Sequence, residues 1–376
     1  MAMDGESRDV REEEAPIHGD VLEAVFSHVP LIDLVSPCFV SKAWKRTVSS
    51  CLRSFKTVKP WLIVYTLCTR STYVTTAHAY DPRSHVWIEI KRPQIKYVSA
   101  VRSSHSTLLY VLSASKFSFS FDPLHLKWHH ADSPRVWRTD PIVAVVGHLI
   151  VIAGGVCDFE NDPLAVEIYD LETRTWATCQ SMPIKLKDSA AATWLSVAVN
   201  DRKMFVTEKS SSIMYSFDPN TMNWEGPYDL RPDPCMFFSA IVFVGDRLIL
   251  VGLIGDAENV KSVKMWEVNG EPFECREVGV MPTVMVEKLR GENSELASIG
   301  VSAAGDLVYI YKPSEPEEVV VWEFGGGEGR WRSVRNTIVN DGNRMGRFVF
   351  SCSEVRIDDL QKAFGLENWK FTVKSN

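Results

Sequence analysis

The sequence lacks the features that mark membrane, secreted and nucleic-acid-binding proteins. No apolar run reaches the roughly 18 residues that a membrane-spanning helix needs. The acidic N-terminus has no apolar core of a secretory signal. Lys plus Arg number 41 against 48 Asp plus Glu, a formal charge of −7, whereas a general nucleic-acid binder shows a basic excess or stripe. We therefore expect a soluble, intracellular protein, cytoplasmic and/or nuclear, that binds neither membrane nor nucleic acid.

Closely spaced cysteines are also missing. The eight cysteines are Cys38, Cys51, Cys68, Cys157, Cys179, Cys235, Cys275 and Cys352. Zinc and redox motifs need pairs such as Cys-x-x-Cys, and disulfides are rare in reducing compartments. We expect structural thiols, with no metal and no other cofactor.

Signatures of catalysis are scarce. The histidines form no metal-ligand motif, and His125, His129 and His130 lie around a single turn. The glycine-rich run at 325–329 falls between two strands with no helix after it, so the phosphate-loop context fails and we expect a hairpin turn. No G-x-S-x-G elbow occurs. We predict no catalytic residues.

The composition divides the chain into five segments. Residues 1–15 are acidic and almost without apolar residues, which predicts a disordered tail. Residues 16–55 show helical periodicity, and 56–60 read as a linker. Short β-branched runs separated by turn residues fill 61–353, and a tail with a candidate short helix fills 354–376.

The helical segment predicts three short helices. Val21, Leu22, Val25, Phe26 and Val29 form the apolar stripe of the first, with Asp20 as its expected cap. Pro30 ends it. A second apolar segment spans 31–35, and a third helix is expected from about residue 38 to 52. So small a core usually needs a neighbour or partner.

The β-rich part contains a repeat. An aromatic-acid pair is followed by a second aromatic seven positions after the first in five copies, the fifth weaker in its residue types, and the sixth carries two extra residues in its turn. The copies are Tyr80-Asp81 with Trp87, Phe121-Asp122 with Trp128, Tyr169-Asp170 with Trp176, Phe217-Asp218 with Trp224, Trp266-Glu267 with Phe273, and Trp322-Glu323 with Trp331. Their spacing of 41 to 56 residues is near the roughly 50-residue kelch period. The pair should end one strand and the second aromatic should lie on the return strand after a tight turn. We interpret these aromatics as packing between sheets rather than as ligand cages.

The repeat predicts a β-propeller of about six four-stranded blades. A hairpin precedes each aromatic-acid pair, so each unit has four strands. The first unit begins at Trp61 with its second strand, and a spare apolar strand spans 347–352. We predict that this spare strand completes blade one and closes the ring, which removes exposed sheet edges.

The helical segment resembles an F-box. The resemblance rests on Asp20, Leu22, Val25, Phe26, Val29, Pro30, Asp33, Leu34, Val40, Ser41, Lys42 and Trp44. The usual Leu-Pro at its start is Ile17-His18 here. The region 61–352 resembles kelch repeats, as in plant F-box/kelch proteins, although the kelch diglycine is intact only at Gly154-Gly155.

The resemblance implies a non-catalytic substrate receptor of an SCF ubiquitin ligase. The F-box would dock a Skp adaptor and, through it, a cullin, while the propeller would hold a target protein for ubiquitination and proteasomal degradation. The adaptor-binding candidates are Leu22, Val25, Phe26, Pro30, Leu34, Val40 and Trp44. The target-binding candidates on propeller loops are Arg92, Lys96, Asp158, Phe159, Glu160, Lys185, Lys187, Asp256 and Glu258.

Two further points come from the same reading. The family resemblance, and no residue pattern, implies a phenylpropanoid or flavonoid enzyme such as chalcone synthase as the target. The departure at Ile17-His18 keeps open an adaptor-independent kelch scaffold, and the fold leaves open a propeller enzyme.

Overall fold

The computed structural model describes residues 19–54, 59–68, 75–91, 100–158, 161–270, 272–291, 295–325, 329–336, 346–366 and 369–374. The chain divides into two compact units, Met1–Thr57 and Val58–Asn376.

Three helices form the first unit: α1 (Gly19–Ser27), α2 (Pro37–Val40) and α3 (Lys42–Ser54). Both α1 and α2 pack against α3. Their shared core contains Leu22, Phe26, Leu34, Val48 and Cys51, all buried. The Phe26 and Trp44 rings meet edge to face, with centroids 5.6 Å apart.

Two local expectations for this unit were wrong. Asp20 lies inside the first turn of α1 rather than before it, where its charge still favours the helix N-terminus. The expected single third helix breaks at Ser41, which is extended (φ −159°, ψ 164°). The Ser41 hydroxyl accepts the Trp44 N–H at 3.1 Å, so this serine starts α3 as a capping residue.

The described part of the second unit contains six antiparallel blades, five of four strands and one of five, which confirms the predicted propeller and its blade count. Blade one contains β1 (Trp61–Cys68), β2 (Thr75–Asp81) and β3 (Val86–Lys91). Blade two contains β4 (Arg102–His105), β5 (Leu108–Ser113), β6 (Lys116–Ser120) and β7 (His129–Asp132). Blade three contains β9 (Ile142–Val146), β10 (Leu149–Ala153), β12 (Val166–Asp170) and β13 (Trp176–Cys179). Blade four contains β14 (Leu195–Val199), β15 (Met204–Glu208), β16 (Ile213–Asp218) and β17 (Asn223–Asp229). Blade five contains β18 (Met236–Val244), β19 (Arg247–Gly255), β20 (Val260–Asn269) and β21 (Glu274–Val280). Blade six contains β22 (Gly300–Ala304), β23 (Leu307–Tyr311), β24 (Glu318–Glu323) and β25 (Arg330–Arg335). A separate two-stranded ribbon joins β8 (Arg138–Thr139) to β11 (Val156–Cys157).

A C-terminal strand closes the ring, as predicted. The strand β26 (Gly346–Ser353) pairs with β1 along its full length and supplies the innermost strand of blade one. The innermost strands β26, β4, β9, β14, β18 and β22 each contact the next, and β22 contacts β26. The second strands are buried on both faces, as in β23, because neighbouring blades cover them. This burial explains their continuous apolar runs.

The antiparallel order gives the propeller two distinct sides. We call the side with the loops between second and third strands, and with the connections between blades, the connection face. The opposite side carries the turns from first to second and from third to fourth strand, and we call it the turn face. Among the described residues, two connections contain helices that the sequence did not predict: a 3₁₀ helix (Ile184–Ser189) after blade three and α4 (Thr283–Arg290) after blade five.

The repeated aromatics join adjacent blades. In blades one, three, four and six the two aromatics face each other across the third and fourth strands, as in Tyr80 with Trp87. The indole N–H of Trp87 donates to the Arg335 carbonyl of blade six at 2.9 Å. Trp176 and Trp224 donate in the same way to the preceding blade, at 3.1 and 3.4 Å. These tryptophans are structural.

Blades two and five depart from the repeat. In blade two the facing pair is Phe119 with His129, whose rings stack at 5.4 Å, and Phe121 lies outside the strand and is exposed. In blade five a bulge places Trp266 opposite Glu277, and Phe273 packs on blade four. In these two blades the second aromatic therefore does not face the first across the return strand, contrary to expectation.

The C-terminal segment adds to the propeller rather than forming a simple tail. Helix α5 (Ile357–Phe364) is followed by β27 (Lys370–Lys374), which pairs with β3 as a fifth strand of blade one. The His125 ring bonds the Asp122 carboxylate at 2.9 Å and the Asp359 carbonyl of α5 at 3.1 Å. The bond to Asp122 raises the pKa of His125.

Candidate docking surfaces

The helices of the first unit expose apolar side chains that their core does not use. On α1, Leu22 and Phe26 are buried, while Val21 and Val25, also four residues apart, are exposed. Residues four apart share a helix face, so α1 has an inner and an outer apolar face. On α2, Val40 is exposed and Phe39 is 72% exposed. Exposed apolar patches of this kind mark interaction surfaces.

The structure divides the adaptor-binding candidates into two groups. Leu22, Phe26 and Leu34 are buried and belong to the core of the unit. Val25 and Val40 are exposed, and Pro30 and Trp44 are half-buried. The sequence reasoning missed Val21 and Phe39, although the alternation of apolar pairs on α1 was a signal for the first. The departure at 17–18 lies outside the described residues.

On the propeller, exposed apolar side chains concentrate on the connection face. Those on loops, connections and strand ends of that face are Trp137, Val156, Ile184, Trp194, Val280 and Val284. On the turn face the described blades expose Phe121 and Met222, and the C-terminal segment beside them exposes Phe364 and Leu366. This asymmetry favours the connection face as the docking side.

Five of the nine target-binding candidates lie among the described residues. Arg92, Lys96, Phe159 and Glu160 lie outside the described residues. Asp158, Lys185, Lys187, Asp256 and Glu258 are exposed on the connection face, in three separate loops. Their mixed charges suit a protein surface better than a polyanion.

One of these candidates also has a local structural role. The Asp256 carboxylate accepts the backbone N–H groups of Glu258 and Asn259 at 3.1 and 2.8 Å. It therefore shapes its own turn.

Blade three keeps the features that shape its loops. Gly154 and Gly155 adopt φ of +66° and +99°, and a Cβ on Gly154 would lie 2.2 Å from the Ala190 carbonyl oxygen. Beside them Arg138 and Glu167, each with a side chain 1% exposed, form a buried ion pair. Burial lowers the pKa of Arg138, and Glu167 opposes this shift.

The Arg138–Glu167 pair also holds the backbone around it. Arg138 donates to the carbonyls of Ala165 at 2.5 Å and Gly154 at 3.3 Å. The Glu167 carboxylate accepts the backbone N–H groups of residues 135 and 136 at 2.7 and 3.2 Å. The pair thereby fixes the β8–β11 ribbon, next to the exposed Trp137 and Val156.

Among the described residues of the connection face, Trp194 is the most exposed aromatic, and hydrogen bonds hold its loop in place. The Asp140 carboxylate accepts both the Thr193 N–H at 3.0 Å and the Thr193 hydroxyl at 2.5 Å. The Lys209 ammonium donates to the carbonyls of Ala192 at 3.1 Å and Thr193 at 2.8 Å, and its backbone N–H donates to the Trp194 carbonyl at 3.0 Å. The Trp194 side chain is 59% exposed. A rigidly presented tryptophan is the usual centre of a protein interface.

A cavity of about 220 Å³ lies along the axis of the ring, between the innermost strands. Serines on these strands bond across blades: Ser104 accepts the Val143 N–H at 3.2 Å, and Ser196 accepts the Ile241 N–H at 2.9 Å. Much of the polar lining is thus used to join the blades.

No group of three or more potential metal-ligating side chains occurs in the described part of the chain. None of its helices is long and apolar enough to cross a bilayer.

Comparison with known proteins assigns both units. The F-box domain model matches residues 19–56, and the Kelch motif model matches 138–183, which covers β8 to β13. An F-box/kelch-repeat protein, At1g23390 of Arabidopsis thaliana, is 46% identical over 372 residues, covering 95% of this chain and 94% of that protein. The chain belongs to the F-box/kelch-repeat family.

Two further similarities cover smaller parts of the chain. The kelch repeat and BTB domain-containing protein 8 of Danio rerio is 23% identical over 172 residues, covering 42% of this chain and 28% of that protein. A solved structure titled "Structure of YjhT" matches with a TM-score of 0.40 and 14% identity, over 61% of this chain and 81% of that one. Within this F-box/kelch chain, the Kelch motif match falls on blade three, where the diglycine survives.

Proposed function

We propose that this F-box/kelch protein is the substrate-recognition subunit of an SCF-type ubiquitin ligase. The observation that carries the proposal is the exposed apolar pairs of the F-box, Val21 with Val25 and Phe39 with Val40. They leave a three-helix unit with more apolar surface than it can bury, as expected for docking onto a Skp adaptor and, through it, a cullin. The F-box domain match at 19–56 supports the same partner.

The second half of the proposal is that the connection face of the propeller binds a target protein. Its support is the concentration of exposed apolar residues there, with the rigid Trp194 among them. The mechanism is proximity: the receptor raises the effective concentration of the target near the conjugating enzyme and does no chemistry itself. The proposed location is the cytoplasm and/or nucleus.

For the target itself, the candidate class is a phenylpropanoid or flavonoid enzyme, such as chalcone synthase. Its support is the likeness to plant F-box/kelch proteins alone. Incubating purified chalcone synthase with the full-length receptor tests it directly, and absence of a complex would remove this candidate while leaving the receptor role intact.

The adaptor half is tested with Phe39→Asp. Because Phe39 is 72% exposed, the substitution should change folding stability by no more than about 0.5 kcal/mol. A charge in an apolar interface should weaken Skp-adaptor binding at least tenfold, about 1.4 kcal/mol. Phe121→Asp, the same change at an exposed propeller position, is the matched control and should bind normally. Phe26 is unsuitable for this test because it is buried in the core.

An adaptor-independent kelch scaffold is the second candidate, motivated by Ile17-His18. If the purified full-length protein binds no Skp adaptor at micromolar concentration, the scaffold replaces the ligase proposal. A propeller enzyme would instead show stoichiometric metal by elemental analysis.

A further inference from the structure

We infer that the mouth of the central channel on the connection face receives an acidic segment of the target protein, with a carboxylate between Lys209 and Arg347 and an apolar neighbour on Trp194. This inference rests on the proposed receptor function and specifies the chemistry of its target.

Strand pairing places the two cations at the same end of the channel. Lys209 directly follows Glu208, which pairs with Leu195 at the start of the innermost strand of blade four. Arg347 pairs with Leu67 near the start of β26, the innermost strand of blade one. Both positions are on the connection face. Blades one and four are three apart in a ring of six, so the cations lie on opposite sides of the channel.

The residues that line the cavity have charge of one sign. Lys209 and Arg347 line it, and no carboxylate does so among the described residues. The other two ionisable groups of the lining are uncharged at neutral pH: burial lowers the pKa of His105 to about 4 and raises the pKa of Tyr311. An anion entering here therefore meets the positive charges of Arg347 and Lys209, although the Asp140 carboxylate behind Lys209 offsets part of the second.

The Lys209 ammonium is held in place and still has bonding capacity. Two of its three N–H groups donate to the carbonyls of Ala192 and Thr193. The same bonds fix Trp194, so the cation and the exposed aromatic are positioned together. Burial lowers the pKa of Lys209 to about 8 and Asp140 opposes this shift, so a second anion would favour the charged ammonium.

Size and surrounding charge favour a short acidic peptide over a nucleic acid. A cavity of about 220 Å³ suits one or two side chains rather than a folded element. The connection face exposes Asp158, Asp188, Asp256 and Glu258 as well as Lys185 and Lys187. Such alternating charge suits a short protein segment better than a long polyanion.

The test uses random dodecapeptides displayed on phage and selected on the immobilised full-length protein. We expect the selected pool to be enriched in Asp and Glu next to an aromatic or aliphatic residue. The best peptide and its Glu→Gln or Asp→Asn analogue are then compared by fluorescence anisotropy. The acidic form should bind at least about tenfold more tightly, or 1.4 kcal/mol.

Protein variants locate the contact. In Arg347→Gln the preference for the acidic peptide over its amide analogue should fall towards one. Arg202→Gln, the same change at an exposed position on the turn face, should keep the preference. Trp194→Ala should weaken both peptides about tenfold or more while preserving their ratio. The acid-to-amide comparison leaves the protein unchanged, so it remains decisive if a variant fails to fold.

Several results would overturn the inference. These are no selectable peptide, a pool without acidic enrichment, equal binding of the acidic and amide peptides, and a preference that survives in Arg347→Gln. A random single-stranded DNA dodecamer that binds with the same dependence on Arg347 would replace the peptide with a nucleic acid. The assay contains no adaptor, so failure of Skp binding would remove the ligase proposal and leave this result standing.

Discussion

Replacing Glu167 with Gln is expected to destabilise the propeller by about 3–5 kcal/mol, the usual cost of removing one partner from a buried ion pair. Both side chains of the pair are 1% exposed, so Arg138 would keep a buried charge without its counter-ion. The loss also reaches the backbone, because the Glu167 carboxylate accepts the N–H groups of residues 135 and 136. For a domain of this size the melting temperature should fall by on the order of 10 °C.

The assay is denaturant unfolding of the full-length protein, followed by tryptophan fluorescence. Glu354→Gln is the matched control, since Glu354 pairs with Arg356 at 3.6 Å on the surface with side chains 59% and 67% exposed. Exposed pairs of this kind contribute about 0–1 kcal/mol.

Coupling within the pair gives a second measurement. The loss in free energy of unfolding of the double variant Arg138→Met/Glu167→Gln should be smaller than the sum of the two single-variant losses by at least about 0.5 kcal/mol. Coupled neighbours show differences of about this size. A Glu167→Gln cost below about 1 kcal/mol, or strict additivity in the double variant, would refute the assignment of the pair as a structural centre of blade three.

Gly154→Ala should lower the free energy of unfolding by well over the roughly 1–2 kcal/mol of a left-handed residue, because its Cβ would meet a carbonyl oxygen at 2.2 Å. Gly147→Ala, at φ +60° with its nearest atom at 4.0 Å, should lose only that conformational amount. Equilibrium unfolding measures both losses. The pKa of His125 in the folded protein is raised above 6.5, so its contribution to folding stability should be fully present below pH 6.5 and lost as pH rises through the raised value. The unfolding midpoint of His125→Gln should therefore lie below that of the wild type by an amount that shrinks with rising pH. A difference that does not shrink would contradict this. In iodoacetamide labelling read by mass spectrometry, the exposed thiol of Cys235 should react in the native protein, and Cys352, whose pKa burial raises, should react only after unfolding.

Much of the propeller could be predicted because its cause is local and repeated. A tight turn at a fixed distance from an aromatic pair recurs along the chain, and Tyr80 with Trp87 faces as expected. Ring closure also followed from the sequence, since blade one lacked a strand at its start and 347–352 supplied one at the end.

Two features of the blades, the strand β27 and the facing pair of blade two, could not be predicted from the local sequence. The short run of β27 reads as a strand only once the edge of β3, some 280 residues earlier, is available to pair. In blade two, Phe119 rather than Phe121 faces the return strand, because the strand pairing in three dimensions decides which ring is enclosed.

The docking surfaces show the same limit. The stretch Pro37–Val40 is apolar throughout, and only the position of α3 decides that Cys38 is buried while Phe39 is exposed. Likewise Trp194 begins an apolar strand in the sequence, and its exposure depends on the contact of its loop with Asp140, more than 50 residues away.

The most direct test of the two-part receptor is the fate of proteins bound by the propeller in cells. Full-length wild-type and Phe39→Asp proteins are expressed separately in the plant, and the captured proteins are quantified with and without a proteasome inhibitor. The account predicts that both forms capture the same proteins when the proteasome is blocked. Without the inhibitor, those proteins should decline with the wild-type protein and accumulate with Phe39→Asp. Equal abundance of the captured proteins under both forms, with and without inhibitor, would contradict it.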